Sequence, residues 1–444
     1  MPDELLRYLA FFDIAERKMI LNRPLTPVEM KISQRYYNLY SAVNGMSYMC
    51  LGETVLILFA LRLGCRDAVI SVLGAMIYVG FLFLPLGKVM TARTGAVRSQ
   101  ADFWVMRNIA SLIIAAAAPT VHFGYHKTAV CLLVLGAFLF YGFRAAGVVM
   151  SQPLVGEICP AGERGRFVAI SWTCFYAAGF AALLGTTALL KFFPGVGAIF
   201  AVILIGAALG VTSSVFLRRV SETGAIRESA KRPVLKEYRR VLAVPVIRRQ
   251  IYAGMVCYGG VILVVPISLL TVKKGFLAAD TQALIFSAFQ LFGSICASFV
   301  QSRISDRLGG KRMLAIGYGL LSTTALYWII VPRGFSWGPL LIPFLIAAFG
   351  SVGVNNALTQ YYLETVPRPM RVIASIFFSI ASGVVAGLAG LTAGSSLLFL
   401  AARLNDSGDP LLTYRLYFGA VLLLLAVLSP LILRLPTPKI RKNA

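Results

Sequence analysis

Long apolar runs alternate with short polar stretches along most of the chain. A membrane crossing needs about 20 largely apolar residues. Twelve intervals reach that length, at approximately 37–62, 68–86, 103–124, 128–152, 167–190, 197–217, 250–272, 281–301, 313–332, 338–360, 372–400 and 414–433. Lipid offers no partner to free backbone groups, so each run is expected to be a helix. The runs are too long for barrel strands. Six intervals precede a charged, polar segment from Arg218 to Arg249, and six follow it. The expected organisation is an arm over 1–35, a six-helix bundle over 36–217, a central loop over 218–249, a second bundle over 250–433 and a tail over 434–444.

A motif appears twice on this layout. Glu157-Ile-Cys-Pro160-Ala-Gly-Glu-Arg164 follows the fourth run, and Glu364-Thr-Val-Pro367-Arg-Pro-Met-Arg371 follows the tenth. Glu, Pro and Arg recur at one offset of 207 residues, which points to one structural unit used twice. In the arm, Leu5, Leu6, Leu9 and Phe12 recur at helical spacing and suggest a helix lying on the membrane surface or against the bundle. Thr26-Pro27-Val28-Glu29 has capping-box spacing with Pro at the first helical position, so a second short helix is expected to lead into span one. Val234 to Leu242 suggests a helix within the central loop. The first apolar patch, Leu5 to Ile14, is too short and too interrupted for a secretory signal, which leaves span one as the insertion signal.

Composition agrees with the pattern. Hydrophobic residues make up 58% of the 444 residues, charged residues 14%, and the mean hydropathy is +0.79. A net charge of +24 could suggest nucleic acid, but its placement argues for topology. Of 42 Lys and Arg, 31 fall in the arm, the central loop, the tail and the loops on their side, against nine on the opposite side. That asymmetry predicts a multi-pass protein of the plasma (inner) membrane with both termini cytoplasmic, its basic loops touching anionic lipid rather than nucleic acid. The seven cysteines show neither metal-ligand spacing nor a disulfide framework. His122 and His126 flank a short external loop and read as solvated.

Between spans eight and nine stands Ser302-Arg-Ile-Ser-Asp306-Arg307-Leu-Gly309-Gly-Lys311-Arg312. This resembles the signature loop of the major facilitator superfamily, Gly-x-x-x-Asp-Arg-x-Gly-x-Lys/Arg-Arg/Lys, with Ser302 at the leading glycine. With the spans, the central loop and the repeated motif, the resemblance covers about 400 residues. It implies an all-α membrane protein of twelve transmembrane helices in two pseudo-symmetric six-helix bundles, with substrate sites near the midplane. Asp306 is placed to accept backbone amides at a helix N-terminus, Gly309 to permit the turn, and Arg307, Lys311 and Arg312 to reach carboxylates such as Glu364. In the family such loops hold the cytoplasmic side closed. The resemblance therefore implies a cytoplasmic gate of Asp306, Arg307, Gly309, Lys311, Arg312, Glu157, Arg164, Glu364 and Arg371. The first-half counterpart, Pro85 to Gly95, has Thr91 where the acid is expected, and Glu157 could pair there with Arg93 or Arg98.

Two charges lie deep within spans, Glu53 in the first and Arg144 in the fourth. Each costs about 2.5–3.5 kcal/mol or more at the bilayer centre unless paired or facing water. The resemblance implies that an acid on span one and an arginine on span four form a proton-coupling pair. Span boundaries place them roughly 12 Å apart in height, and separate partners or snorkelling are the alternatives. Neutral polar residues gather on spans one, four, seven and ten, which line the cavity in this family: Asn44, Tyr48, Tyr141, Tyr252, Tyr258, Asn355, Asn356 and Gln360. Each reads equally as substrate contact or as glue between helices.

The leading expectation is a secondary active transporter that moves a small solute by alternating access, coupled to protons, working as a monomer without a cofactor. Uptake and export both remain open. The alternative is a non-transporting membrane sensor of the same fold. An enzyme is disfavoured, since no metal cluster, carboxylate pair or nucleophile–base constellation appears in the sequence.

Overall fold

The computed structural model describes residues 20–65, 80–160, 162–193, 195–231, 234–278, 280–334, 336–404 and 410–437, with scattered positions between 69 and 79. The arm residues Leu5, Leu6, Leu9 and Phe12, and most of the interval 68–86, lie outside the described residues. Among the described residues, one parallel pairing of two short strands, β1 (Ile20–Leu21) and β2 (Glu222–Thr223), accompanies elements that are otherwise helical. The helices used below are α1 (Pro27–Leu51), α2 (Glu53–Arg62), α3 (Leu84–Thr94), α4 (Ala96–Ala115), α5 (His126–Val148), α6 (Arg164–Phe192), α7 (Val196–Leu217), α8 (Gly224–Lys231), α9 (Val234–Ala243), α10 (Pro245–Leu270), α11 (Asp280–Ile330), α12 (Trp337–Thr365) and α13 (Arg371–Leu404).

Among the described residues, ten helical segments are long and apolar enough to cross a membrane. One covers two expected spans: α11 runs through Gly309, whose φ of 75° and ψ of 158° break it. The ten segments are consistent with twelve crossings.

Span one begins at the expected capping box. The Glu29 amide donates to Thr26 Oγ1 at 3.3 Å, and the Thr26 amide donates to the Glu29 carboxylate at 2.8 Å. The helix started there is span one itself, not a short helix ahead of it, because no Gly or Pro interrupts the sequence between Pro27 and Gly45. It breaks instead at Gly52, where ψ of 170° leaves the helical region and α2 restarts at Glu53. A side chain at Gly52 would place its Cβ 2.9 Å from the Tyr48 carbonyl oxygen.

The chain forms two compact units. The first comprises Met1–Ala161, Gly185–Glu237 and Pro367–Ser375; the second comprises Gly162–Leu184, Tyr238–Val366 and Ile376–Ala444. Each takes a short segment from the other half of the sequence, starting within or just after a repeated Glu-Pro-Arg motif. Phe59, Phe103 and Phe140 are fully buried in the first unit. In the second, the Trp328 indole stacks on Phe418 with centroids 6.0 Å apart and donates to Ser268 Oγ at 2.8 Å. Where lipid tails are as apolar as the side chains, close backbone approach holds helices together. Gly317 on α11 illustrates it: an added Cβ would lie 2.8 Å from the Val354 amide of α12.

Candidate functional site

In the second unit, the signature loop is tied together by carboxylates on backbone amides. The Gly165 amide donates to Asp306 Oδ1 at 2.7 Å, and the Arg166 amide donates to Oδ2 at 3.0 Å. These are among the first amides of α6, which have no partner within their own helix and carry the positive end of its dipole. Gly165 allows the approach, since a Cβ there would lie 2.6 Å from both Gln360 Oε1 and Ser305 Oγ. After the break at Gly309, the Gly310 amide points at both oxygens of Glu364, each at 3.3 Å, and Gln360 Nε2 donates to Glu364 at 2.8 Å. Arg307, Lys311 and Arg312 are not partners of Glu364, because the amide and Gln360 already face its carboxylate. Arg307 edges a groove of about 700 Å³ beside Asp306, together with Arg166, Arg303, Ile170 and Phe299.

The first unit repeats the backbone with other chemistry. Gly95 has φ of 92°, matching the break at Gly309. Thr91, fully buried, turns its hydroxyl onto the Gly87 carbonyl of its own helix at 2.8 Å. A carboxylate reaches this loop from elsewhere: the Ala96 and Val97 amides, at the start of α4, donate to Glu222 at 2.8 and 3.2 Å. Glu222 sits on β2 and is only 1% exposed. Burial, with the charge of Glu157 adding to it and the two amides opposing, pushes its pKa up to about 8. Glu157 does not pair with Arg93 or Arg98. It accepts the Thr223 amide at 2.9 Å and the Thr223 hydroxyl at 2.8 Å.

The motif arginines make reciprocal contacts. Within the second unit Arg164 Nη1 donates to the Leu363 carbonyl at 2.7 Å; within the first, Arg371 Nη1 points at the Gly156 carbonyl at 3.5 Å. Arg371 and Arg164, and likewise Leu363 and Gly156, are 207 positions apart, so the two contacts are one interaction written twice. Both arginines are buried, at 8% and 6% exposure for Arg164 and Arg371. Ser375 Oγ and Ser229 Oγ add bonds in the first unit, to the carbonyls of Val149 and Pro369.

The polar residues within spans separate into several environments. Asn44 Oδ1 accepts from Trp104 Nε1 at 2.8 Å and from Arg107 at 3.2 Å, so it is occupied inside the bundle. Arg144 lies over the Tyr48 ring, 5.2 Å from its centroid. Tyr48 is five residues before Glu53, which opens α2; the Glu53 side chain lies outside the described residues. Tyr141 is buried edge-on to Phe140. In the second unit, Asn356 donates to Gln301 at 2.7 Å and Gln360 is held by Glu364, both as links between α11 and α12 or within α12. Tyr258 meets the Phe378 ring, Asn355 is half-buried, and Tyr252 is exposed.

Three residues with a part in these arrangements escaped the sequence reading. Glu222 lies outside any span in a loop rich in charge, and no periodicity marks it. Trp104 passes as an apolar residue. Arg107 had a signal: it is an arginine inside the third apolar interval, four residues from its edge, where it reads as a terminal charge.

Several solved structures share this fold. The proton:xylose symporter XylE bound to 6-bromo-6-deoxy-D-glucose matches with a TM-score of 0.63 at 15% identity, over 93% of this chain and 97% of that one. A bacterial homologue of the iron transporter ferroportin in an outward-facing state matches at 0.66 and 12%, over 89% and 99%. The Escherichia coli fucose:proton symporter FucP matches at 0.66 and 9%, over 90% and 98%. At these identities the likeness is one of fold. No curated protein matches the chain by sequence. The family model of the Major Facilitator Superfamily matches residues 39–391, a stretch that contains both motif loops, both glycine breaks and both reciprocal arginines; the chain belongs to that superfamily of membrane transporters.

Proposed function

We propose that this chain is a secondary active transporter that carries a small solute by alternating access, coupled to protons, with its motif loops facing the cytoplasm of a cell bounded by a plasma (inner) membrane. The observation that carries the reading is the reciprocal pair of Arg164 on the Leu363 carbonyl and Arg371 on the Gly156 carbonyl. Each ties the motif of one repeat to the motif of the other. Together with Asp306 on the start of α6, they are the contacts a cytoplasmic gate must make and break in each cycle. Backbone carbonyls and amides suit that task, since bonds of about 0.5–3 kcal/mol each can be exchanged for water without stranding a charge pair.

Glu53 and Arg144 are the coupling pair in this reading. The break at Gly52 lets the chain change direction next to Glu53, and Arg144 reaches the level of Tyr48, about one and a half turns before it. Approach of a guanidinium favours the ionised carboxyl, and its withdrawal favours the protonated one. A motion that changes the approach then couples proton occupancy to the open side. The test is transport in proteoliposomes under an imposed pH gradient. Glu53→Gln is expected to retain solute exchange at equal pH and to lose accumulation driven by the gradient. Full accumulation by that variant, or a sodium requirement without proton dependence, refutes the coupling.

A further inference from the structure

Two arginines within the apolar intervals of the first unit, Arg107 and Arg144, have no carboxylate partner among the described residues. Arg107 on α4 is 1% exposed, and its Nη2 donates to Asn44 Oδ1 at 3.2 Å and Ser47 Oγ at 3.3 Å, both neutral acceptors on α1. Its guanidinium also lies 4.9 Å from the Trp104 ring centroid and 5.4 Å from that of Phe140. Its Nε is buried without a hydrogen-bond partner. Arg144 on α5 is half-buried. Its face rests on Tyr48, and among the described residues its N–H groups have no acceptor. Asp102, one turn before Arg107 on α4, is engaged by Arg218 at 2.7 Å.

A charge count sharpens this. Away from their ends, the apolar intervals of the first half contain two arginines, Arg107 and Arg144, and one carboxylate, Glu53. One carboxylate offsets at most one guanidinium, and a protonated one offsets neither. A net positive charge in a low-dielectric interior is costly without a counter-ion. Helix packing explains Arg107, which fastens α4 to α1. It does not explain Arg144, whose five-donor fork matches a carboxylate or phosphate in geometry.

We infer that the first unit holds a binding site for the carboxylate or phosphate group of a small anionic solute, with Arg144 grasping the anion and Arg107 holding the potential positive behind it. The half-buried Tyr48 ring offers an apolar wall for the body of such a solute. The site deepens the transporter reading by naming a substrate class, and for its purpose it rests on that reading. The binding itself does not.

The test is thermal melting of the protein in lipid nanodiscs at pH 7. Sodium benzoate, sodium succinate and inorganic phosphate are titrated against the neutral counterparts benzamide and succinamide. At least one anion is expected to raise the melting temperature saturably, with no shift from its neutral counterpart. Whether a carboxylate or phosphate does so identifies the group bound. Arg144→Gln is expected to weaken that binding at least tenfold, and Arg144→Lys, which keeps the charge but loses the fork, to bind with intermediate affinity. The lysine variant stands in if the glutamine variant melts early without ligand. No saturable shift with any of the three anions, equal shifts with the amides, or wild-type affinity in the lysine variant overturns the inference. Counterflow of the bound anion in proteoliposomes separates the two readings. Arg144-dependent binding without exchange sinks the transporter reading and leaves the site, whereas exchange of neutral solutes alone sinks the site and leaves the transporter.

Discussion

The loops that follow spans two and eight have the same backbone and different chemistry. Both turn on a glycine at positive φ, Gly95 and Gly309. Both present helix-start amides to a carboxylate near the break. In the second unit that carboxylate is Glu364, from the motif that follows span ten, while Asp306 of the loop itself reaches the start of α6. In the first unit Thr91 has no charge to reach with. Glu222, from beyond span six, takes the amides of α4, and Glu157 turns to Thr223. Duplication thus preserved the places where backbone groups need partners, and the partners were supplied from different parts of the chain. A buried amide at a helix start demands an acceptor, but not one from a fixed position.

The largest contrast should come from the residues that occupy equivalent loop positions. Asp306→Ala removes two charge-assisted bonds to backbone amides, on the order of 3 kcal/mol together. Hydrogen exchange at the amides of Gly165 and Arg166 should then quicken by about a hundredfold. Thr91→Ala loses only a bond within its own helix, and exchange around α4 should change by less than about tenfold. Similar effects from both substitutions would remove the asymmetry.

The glycines come next. Alanine at either break enters a sparsely populated backbone region, at about 1–3 kcal/mol. At Gly309 the added methyl meets open space, whereas at Gly95 it runs into the Glu222 carboxylate and Ile20. Gly95→Ala should therefore melt lower than Gly309→Ala, and the reverse order would show that Glu222 can step aside at little cost.

The arginines should differ more gently. Arg164→Ala loses a 2.7 Å bond to a buried carbonyl, costing about 1–3 kcal/mol, and Arg371→Ala a longer one at 3.5 Å, costing less. Denaturant titrations of the single and double variants check the order. Equal losses would mean that the two contacts are equally strong in the membrane.

Glu222 should give an effect confined to pH. Its folded pKa of about 8 lies above the ordinary carboxylate value of 4.5. Between those values the folded chain keeps a proton that the unfolded chain releases, so stability falls as pH rises through the window. Glu222→Gln should flatten the change in melting temperature between pH 5 and pH 8. A variant with an undiminished slope would place the titrating group elsewhere.

Much of the fold was legible because lipid makes helix length and hydrophobicity decisive. Thr26, Asp306 and Gly309 were read from local rules, and each does what capping and turn chemistry require. The partners of Glu157 and Glu364 were not legible. Opposite charge suggested arginines, while the structure supplies amides, a hydroxyl and Gln360. Sequence shows which side chains carry charge, but it does not show which backbone groups are left wanting after helices end. The intervals on either side of Gly309 were read as two from the polar run Ser302 to Arg312, and the structure joins them in one hydrogen-bonded segment that a single residue at positive φ turns.

The central claim is that the reciprocal arginine contacts hold a gate shut. Spin labels at exposed Arg93 and Arg312, one beside each glycine break, report it directly by pulsed dipolar distance measurement in nanodiscs. The wild type should give a distribution dominated by one distance. The double variant Arg164→Ala and Arg371→Ala should move most of the population to a longer one. An unchanged distribution in a folded double variant would contradict the account.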